Sequence, residues 1–351
     1  MDCSACGEEA LRGQREKWTA LCQQTDLGPM FIHHRKGREM FDENAYYGYI
    51  LKADLVGAIG YIKRFPEQGT LYQRYIAIFD KEQYLNYAIE EPLNGILRTY
   101  QQYYRDAFYL CLDKDKAADR LQTKLAALLH VNDKYRLCDM EQEAIAGEFQ
   151  RRGFYFLGGK TGGYYGPYVW KTTESETYDV ELPDGIQPYP VKLLDGFVVK
   201  SWLDYLSFGE VSTGGWTDND GIINCVKSSY DFDSENFRVS LLKHEAQHAR
   251  DLTLLPSMPS ALLEYRAKLV ELIYSAERNL LAQFVHETDS SDDSNGHAVA
   301  AHRIVSEYCK LLDKSANELD MLSVEEVQSV AKSLFEKSSC TIDNVLSLDR
   351  A

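Results

Sequence analysis

The sequence predicts an α+β fold, and three observations along the chain carry that expectation. Apolar residues recur at three- and four-residue spacing through the first 150 or so positions. A stretch rich in Gly, Pro, Thr, Val and aromatics follows from about Gly153 to Val226, and helical periodicity returns after Asp233. The expected division is a helical domain over 1–150 and a second domain over 151–351, in which strands within 153–227 precede further helices.

Taken in order, segments 8–24, 42–65, 93–112 and 116–129 read as amphipathic helices. Gly28-Pro29, Pro66 and Pro92 fall at their boundaries, where proline's missing N–H does least harm. The segments form a helical array without the fixed period of a true repeat. Tyrosines are dense here, and their expected work is helix–helix packing with hydroxyls reaching water. Short strands are expected in 154–160, 164–173, 177–183, 191–199 and 221–227. Gly158-Gly159-Lys160-Thr161-Gly162-Gly163 resembles a phosphate loop only superficially: the required first glycine falls at Phe154, so a glycine-rich hairpin is expected instead. Beyond Asp233, one helix is expected over about 234–254. Pro256 and Pro259 break it, and Ser260 is expected to cap a second running to about 285. An acidic loop over 288–295, a helix over 297–312 and a last helix over about 324–337, opening near Ser323, complete the reading.

Composition narrows the function classes. The 351 residues carry a formal net charge of −16, which excludes a general role in gripping nucleic acid, whose phosphates demand Lys and Arg. No apolar run approaches the roughly 18 residues a membrane helix needs; the best stretch, 49–62, is interrupted by Lys52 and Asp54. The first residues lack the apolar core of a secretory signal, so a cytoplasmic location is expected. The eight cysteines are scattered, as reduced thiols rather than a disulfide framework. Cys3 and Cys6 form one C-x-x-C pair without the second pair a structural zinc site uses, and the expected state there is a frayed terminus.

The chemistry concentrates in the segment 238–252. On a helix His244 and His248 lie one turn apart and about 40° around the axis, so both imidazoles can reach one metal ion. Glu245 between them can face a water at that ion, which is the placement H-E-x-x-H uses for a general base. Leu241, Leu242, Ala246, Ala249 and Leu252 surround the motif with apolar and small residues, as a buried helix requires. Two histidines and a Glu would be costly to desolvate there with nothing to bind.

A hydrolytic zinc site needs a third protein ligand. The following helix supplies Glu264-Tyr265-Arg266-Ala267, and at this point the sequence resembles the gluzincin metallopeptidases, which carry H-E-x-x-H on one helix and a Glu ligand on the next, often in E-x-x-A. The resemblance covers roughly residues 210–285. It implies a zincin-like core, one Zn2+ held by His244, His248 and Glu264, hydrolysis of a peptide or protein substrate with Glu245 as general base, and an edge strand that aligns the substrate, for which 221–227 is the candidate.

The match has one gap. Many gluzincins place an Asp four residues after the ligand Glu to orient a histidine, and here that position is Lys268. Asp251, which points along the His244 direction, and Glu271, two turns beyond Glu264, are the alternatives for that orienting carboxylate. An oxyanion partner is expected among His286, His297, His302, Tyr230 and Tyr274, with His297 favoured because it opens a helix beside Gly296. The rival reading is a catalytically silent gluzincin-like binding or regulatory module acting through its Tyr-rich half.

Overall fold

The computed structural model describes residues 40–132, 135–277, 279–287 and 296–348, the last six by backbone alone. The expected helix over 8–24, the Cys3/Cys6 pair and the acidic loop over 288–295 lie outside the described residues. Helices with small sheets make up a mixed architecture consistent with α+β. The described residues divide into two compact units, the first formed by those up to Met140 with the tripeptide Leu206–Phe208, the second by those from Glu141 to Tyr205 and from Gly209 onward.

The first unit is helical: α1 Glu43–Leu51, α2 Leu55–Ile62, α3 Gly69–Tyr75, α4 Leu93–Tyr104, α5 Lys114–Leu129 and the short α6 Leu137–Met140. Asp42, Asp54 and Asp113 cap α1, α2 and α5 through their carboxylates, satisfying N–H groups that have no partner within the helix. Both α3 and α4 run on into a five-residue π-helical turn, Ile76–Asp80 and Arg105–Tyr109. The tyrosines are deeper than a solvent-facing reading allows. Tyr75 is fully buried, its hydroxyl donating to the Leu206 carbonyl at 2.6 Å and standing 2.5 Å from the Tyr46 hydroxyl. Phe208 packs against the Tyr75 ring, with the Arg74 guanidinium 4.0 Å over its face.

The second unit opens with α7 Ala146–Gln150 and three small sheets. β1 Tyr155–Leu157, β4 Tyr168–Trp170 and β7 Val199–Lys200 form one, in the order β1-β4-β7. The glycine-rich segment is a hairpin: β2 Lys160–Thr161 pairs antiparallel with β3 Tyr164–Tyr165, and Gly162 and Gly163 turn the chain with φ of +58° and +82°. The third sheet carries the site. It joins β5 Thr172–Leu182, β6 Gly185–Asp195, β8 Gly215–Thr217 and β9 Ile223–Val226 in the order β5-β6-β9-β8, parallel only between β6 and β9. β9 is therefore internal. The expectation that 221–227 supplies the edge strand is corrected: on that side the edge is β8, a three-residue strand whose run is too short to show alternation.

Helices follow: α8 Ser201–Leu206 ahead of β8, then after β9 a π-helical segment Asn236–Lys243 that leads directly into α9 His244–Leu254, and α10 Ser260–Tyr274, α11 Leu280–Glu287, α12 Gly296–Leu312 and α13 Val324–Leu348. Val180, Leu182, Val191, Leu193, Ile223 and Cys225 from the sheet pack on Phe237, Leu241, Ala246 and Ala249, and these on Tyr265, Leu269 and Ala300 in one core. That sandwich buries one face of α9 and fixes its direction.

Among the helix boundaries that differ from expectation, three lie in the second half of the chain. Pro259, not Ser260, precedes α10 and lends its carbonyl to Leu262 and Leu263. The helix expected to reach 285 stops at Tyr274, because Glu235 captures the Ser275 hydroxyl at 2.5 Å and the Ala276 N–H at 2.9 Å. α13 starts as expected, with Ser323 and Glu326 exchanging hydrogen bonds, but runs past 337 to Leu348. Among the described residues no helix is long and apolar enough to cross a membrane.

Candidate metal centre

α9 delivers His244 and His248 to one face, one turn apart, and α10 brings Glu264 across to meet them. Their ligand atoms lie within 4.8 Å of one another, and this is the group among the described residues able to hold a metal ion. His244 Nε2 is 3.0 Å from His248 Nε2 and 3.5 Å from Glu264 Oε2, while His248 Nε2 is 3.6 Å from Glu264 Oε1. The imidazole rings stand nearly perpendicular, at 87°.

Two ring nitrogens at 3.0 Å cannot both present lone pairs to each other; one must carry a proton. The charges around the pair say which. Burial disfavours an imidazolium at His244, but the adjacent Glu271 carboxylate, with Glu264, overrides it and holds that pKa up at about 10. His248 is pushed the other way, down to about 3, by burial and by the charge on His244. Glu264 stays ionised: burial raises its pKa, but His244 and His297 outweigh it and carry the pKa far down. A proton on His244 thus occupies ground that a bound cation could take.

Glu271 is the carboxylate that braces a histidine. Its Oε1 lies 2.7 Å from His244 Nδ1, both side chains being buried. That contact leaves Nε2 as the inward-facing nitrogen of His244. Asp251, the alternative, is engaged elsewhere: its carboxylate accepts from Arg266 Nε at 2.8 Å in a fully buried pair, and Arg266 also donates to Ser338. Lys268, at the position where many gluzincins carry Asp, pairs with Glu287 at 2.7 Å and lies over the Phe284 ring. His248 Nδ1 is buried without a hydrogen bond.

Glu245 points away from the helix towards β8. Thr217 Oγ1 lies 2.9 Å from its Oε2 and 2.8 Å from its backbone carbonyl. Burial raises the Glu245 pKa, with the His244 charge and the Thr217 hydrogen bond opposing. Thr217 is invisible to motif reading, since nothing local ties it to a helix 28 residues on.

The oxyanion candidates separate by location. His297, at the start of α12, brings Nδ1 to 3.0 Å from Glu264 Oε2, although the two are not aligned as a hydrogen bond, and its ring runs parallel to that of His244 at 6.4 Å. Its side chain is 63% exposed, so it stands on the solvent side of the group. Burial raises the pKa of half-buried Tyr230, and the neighbouring Cys225, Glu245 and Glu271 add to the rise. Tyr274 instead faces Lys243, whose ammonium sits 3.8 Å over its ring, and His286 and His302 are exposed on α11 and α12.

No family model, curated protein or solved structure matches this chain.

Proposed function

We propose that this chain is a zinc-dependent hydrolase of peptide bonds, built on a gluzincin-like core and acting on a peptide or protein substrate. The observation that carries this reading is the convergence of two Nε2 atoms and one carboxylate at 3.0, 3.5 and 3.6 Å, beside a Glu on the next residue of the same helix turn. Tetrahedral bonds of about 2.0–2.1 Å put ligand atoms about 3.3 Å apart, close to those three separations. Glu264 Oε2 is buried with two histidine nitrogens at 3.0 and 3.5 Å but no aligned hydrogen bond, so a cation could take its place among them. The donor set therefore fits zinc: His244, His248 and Glu264 would hold it.

In such a setting a zinc ion supplies Lewis acidity, polarising a carbonyl and bringing the pKa of water towards neutrality. The chain's own residues do the rest. Glu271 keeps the His244 tautomer; Glu245 takes a proton from the attacking water and delivers it to the leaving amine. His297, exposed beside Glu264, is the residue offered to the developing oxyanion. A cytoplasmic setting belongs to the same reading and agrees with five free cysteines among the described residues.

Metal analysis together with a peptide-hydrolysis assay on wild type and Glu245→Gln tests the proposal. Expected are one zinc per chain in both proteins and turnover in the wild type only. Wild type without zinc, or turnover that survives Glu245→Gln, overturns it.

A further inference from the structure

We infer that Thr217 is a positioning residue for Glu245: the edge strand β8, not the helix that bears the motif, sets the direction of the general base. The inference rests on the hydrolase reading above, and three features of the structure lead to it.

The first is the pair of contacts. A hydroxyl has one proton to donate, and Thr217 Oγ1 shares it between the Glu245 carbonyl at 2.8 Å and Glu245 Oε2 at 2.9 Å. One group thereby grips the backbone and the tip of the same residue. A Glu side chain has three rotatable bonds and gives up rotamer freedom when held; anchoring both ends selects one arrangement. Oε2 is the engaged oxygen, and Oε1 makes no hydrogen bond among the described residues, so the carboxylate keeps one oxygen for the proton it must take.

The second is how β8 gets close enough. A Cβ on Gly215 would lie 2.4 Å from Leu241 Cδ1 and 2.7 Å from the Asn224 carbonyl oxygen. Leu241 belongs to the π-helical segment that runs into α9. Glycine at 215 leaves room for the Asn224 carbonyl of β9 and for the Leu241 side chain, and on the same short strand Thr217 reaches Glu245.

The third is the identity of the residue. Thr is β-branched, so its χ1 is stiff on a strand, and its hydroxyl is held where a longer donor would wander. Pairing of Thr217 with Ile223 in the antiparallel β8–β9 ladder fixes the backbone beneath it. Nothing else among the described residues hydrogen-bonds the Glu245 carboxylate.

Four proteins decide the matter: wild type, Thr217→Val, Thr217→Ala and Thr217→Ser. Valine keeps the shape without the donor, and serine keeps the donor without the branch. Zinc content and zinc Kd are expected to be unchanged in all four, since Thr217 touches no metal ligand atom. In crystals of the metal-free proteins, Glu245 is expected in one rotamer for wild type and Thr217→Ser and spread over several in Thr217→Val and Thr217→Ala. With zinc present, kcat should fall about tenfold at unchanged KM in the valine and alanine variants, a fraction of the roughly 10²–10⁴ that a general base contributes, and should recover in the serine variant. A single wild-type Glu245 rotamer in Thr217→Val, or a serine variant as impaired as the valine one, overturns the inference. A wild type that binds zinc and cleaves no peptide sinks the hydrolase reading alone, because the rotamer comparison still determines whether Thr217 directs Glu245.

Discussion

Replacing Glu271 with Gln isolates the bracing of His244 from the ligands themselves. The change preserves volume in a buried position and still offers an amide oxygen to His244 Nδ1, now at 2.7 Å from a carboxylate oxygen. What disappears is the charge. A hydrogen bond to a charged group contributes about 1.5–3 kcal/mol and a neutral one about 0.5–1.5, so the loss is about 1–1.5 kcal/mol from this source. The amide must also present its oxygen rather than its NH2, and failure to do so would free the imidazole to turn. Together these put the loss within the roughly 10- to 100-fold in metal affinity, about 1.4–2.7 kcal/mol, that outer-sphere partners typically control. Zinc affinity by competition with a chromophoric chelator at about pH 7, corrected for the His244 proton that the Glu271 charge helps to hold in the metal-free protein, gives the number, with thermal unfolding of the metal-free protein as a check on folding. Asp251→Asn is the control. It weakens the buried pair with Arg266 and should lower stability while leaving zinc affinity within about twofold of wild type. A folded Glu271→Gln protein with wild-type affinity refutes the reasoning, and so does equal loss of affinity in Asp251→Asn.

The histidine pair should release one proton per zinc ion between about pH 3 and about pH 10: above the lowered pKa of His248 that ring is already neutral, and below the raised pKa of His244 one proton must leave. Affinity should therefore climb about tenfold per pH unit in the acid part of that window, and calorimetry at about pH 5, below the range in which a zinc-held water would ionise, counts the proton in buffers of different ionisation enthalpy; a count of zero or two there contradicts the assignment. In the first unit, Tyr75→Phe removes the donor to the buried Leu206 carbonyl and should cost about 1–3 kcal/mol of unfolding free energy, read as a lower denaturant midpoint at unchanged slope.

The legible and illegible parts of this molecule divide by how local their causes are. His244, Glu245 and His248 sit within one helical turn, so their relation follows from the geometry of the turn alone. Glu264 requires knowing that the next helix returns alongside, which two prolines and a short loop imply and the resemblance to gluzincins names. Asp251 and Glu271 are equivalent by helical phase: Asp251 lies seven residues from His244 and Glu271 seven from Glu264, nearly two full turns in each case. What distinguishes them is Arg266, which claims Asp251 from the neighbouring helix. The same holds for the end of α10, where Glu235 takes the Ser275 hydroxyl and the Ala276 N–H across a gap of some forty residues. Periodicity sees neither event. β8 escapes for another reason: three residues that include a glycine give no alternation to read, although Thr217 on that strand hydrogen-bonds Glu245.

The tripeptide Leu206–Phe208 has a consequence for how the polypeptide matures on the ribosome. It belongs to the first unit, yet it is translated only after residues 141–205 of the second. Until it emerges, the Tyr75 hydroxyl lacks its carbonyl acceptor and the Arg74 guanidinium its ring. Domains that fold as units during synthesis ordinarily do so from the N-terminus onward. Here the contacts of Leu206 and Phe208 with Tyr75 and Arg74 can form only after most of the strands that follow the leading helices are synthesised.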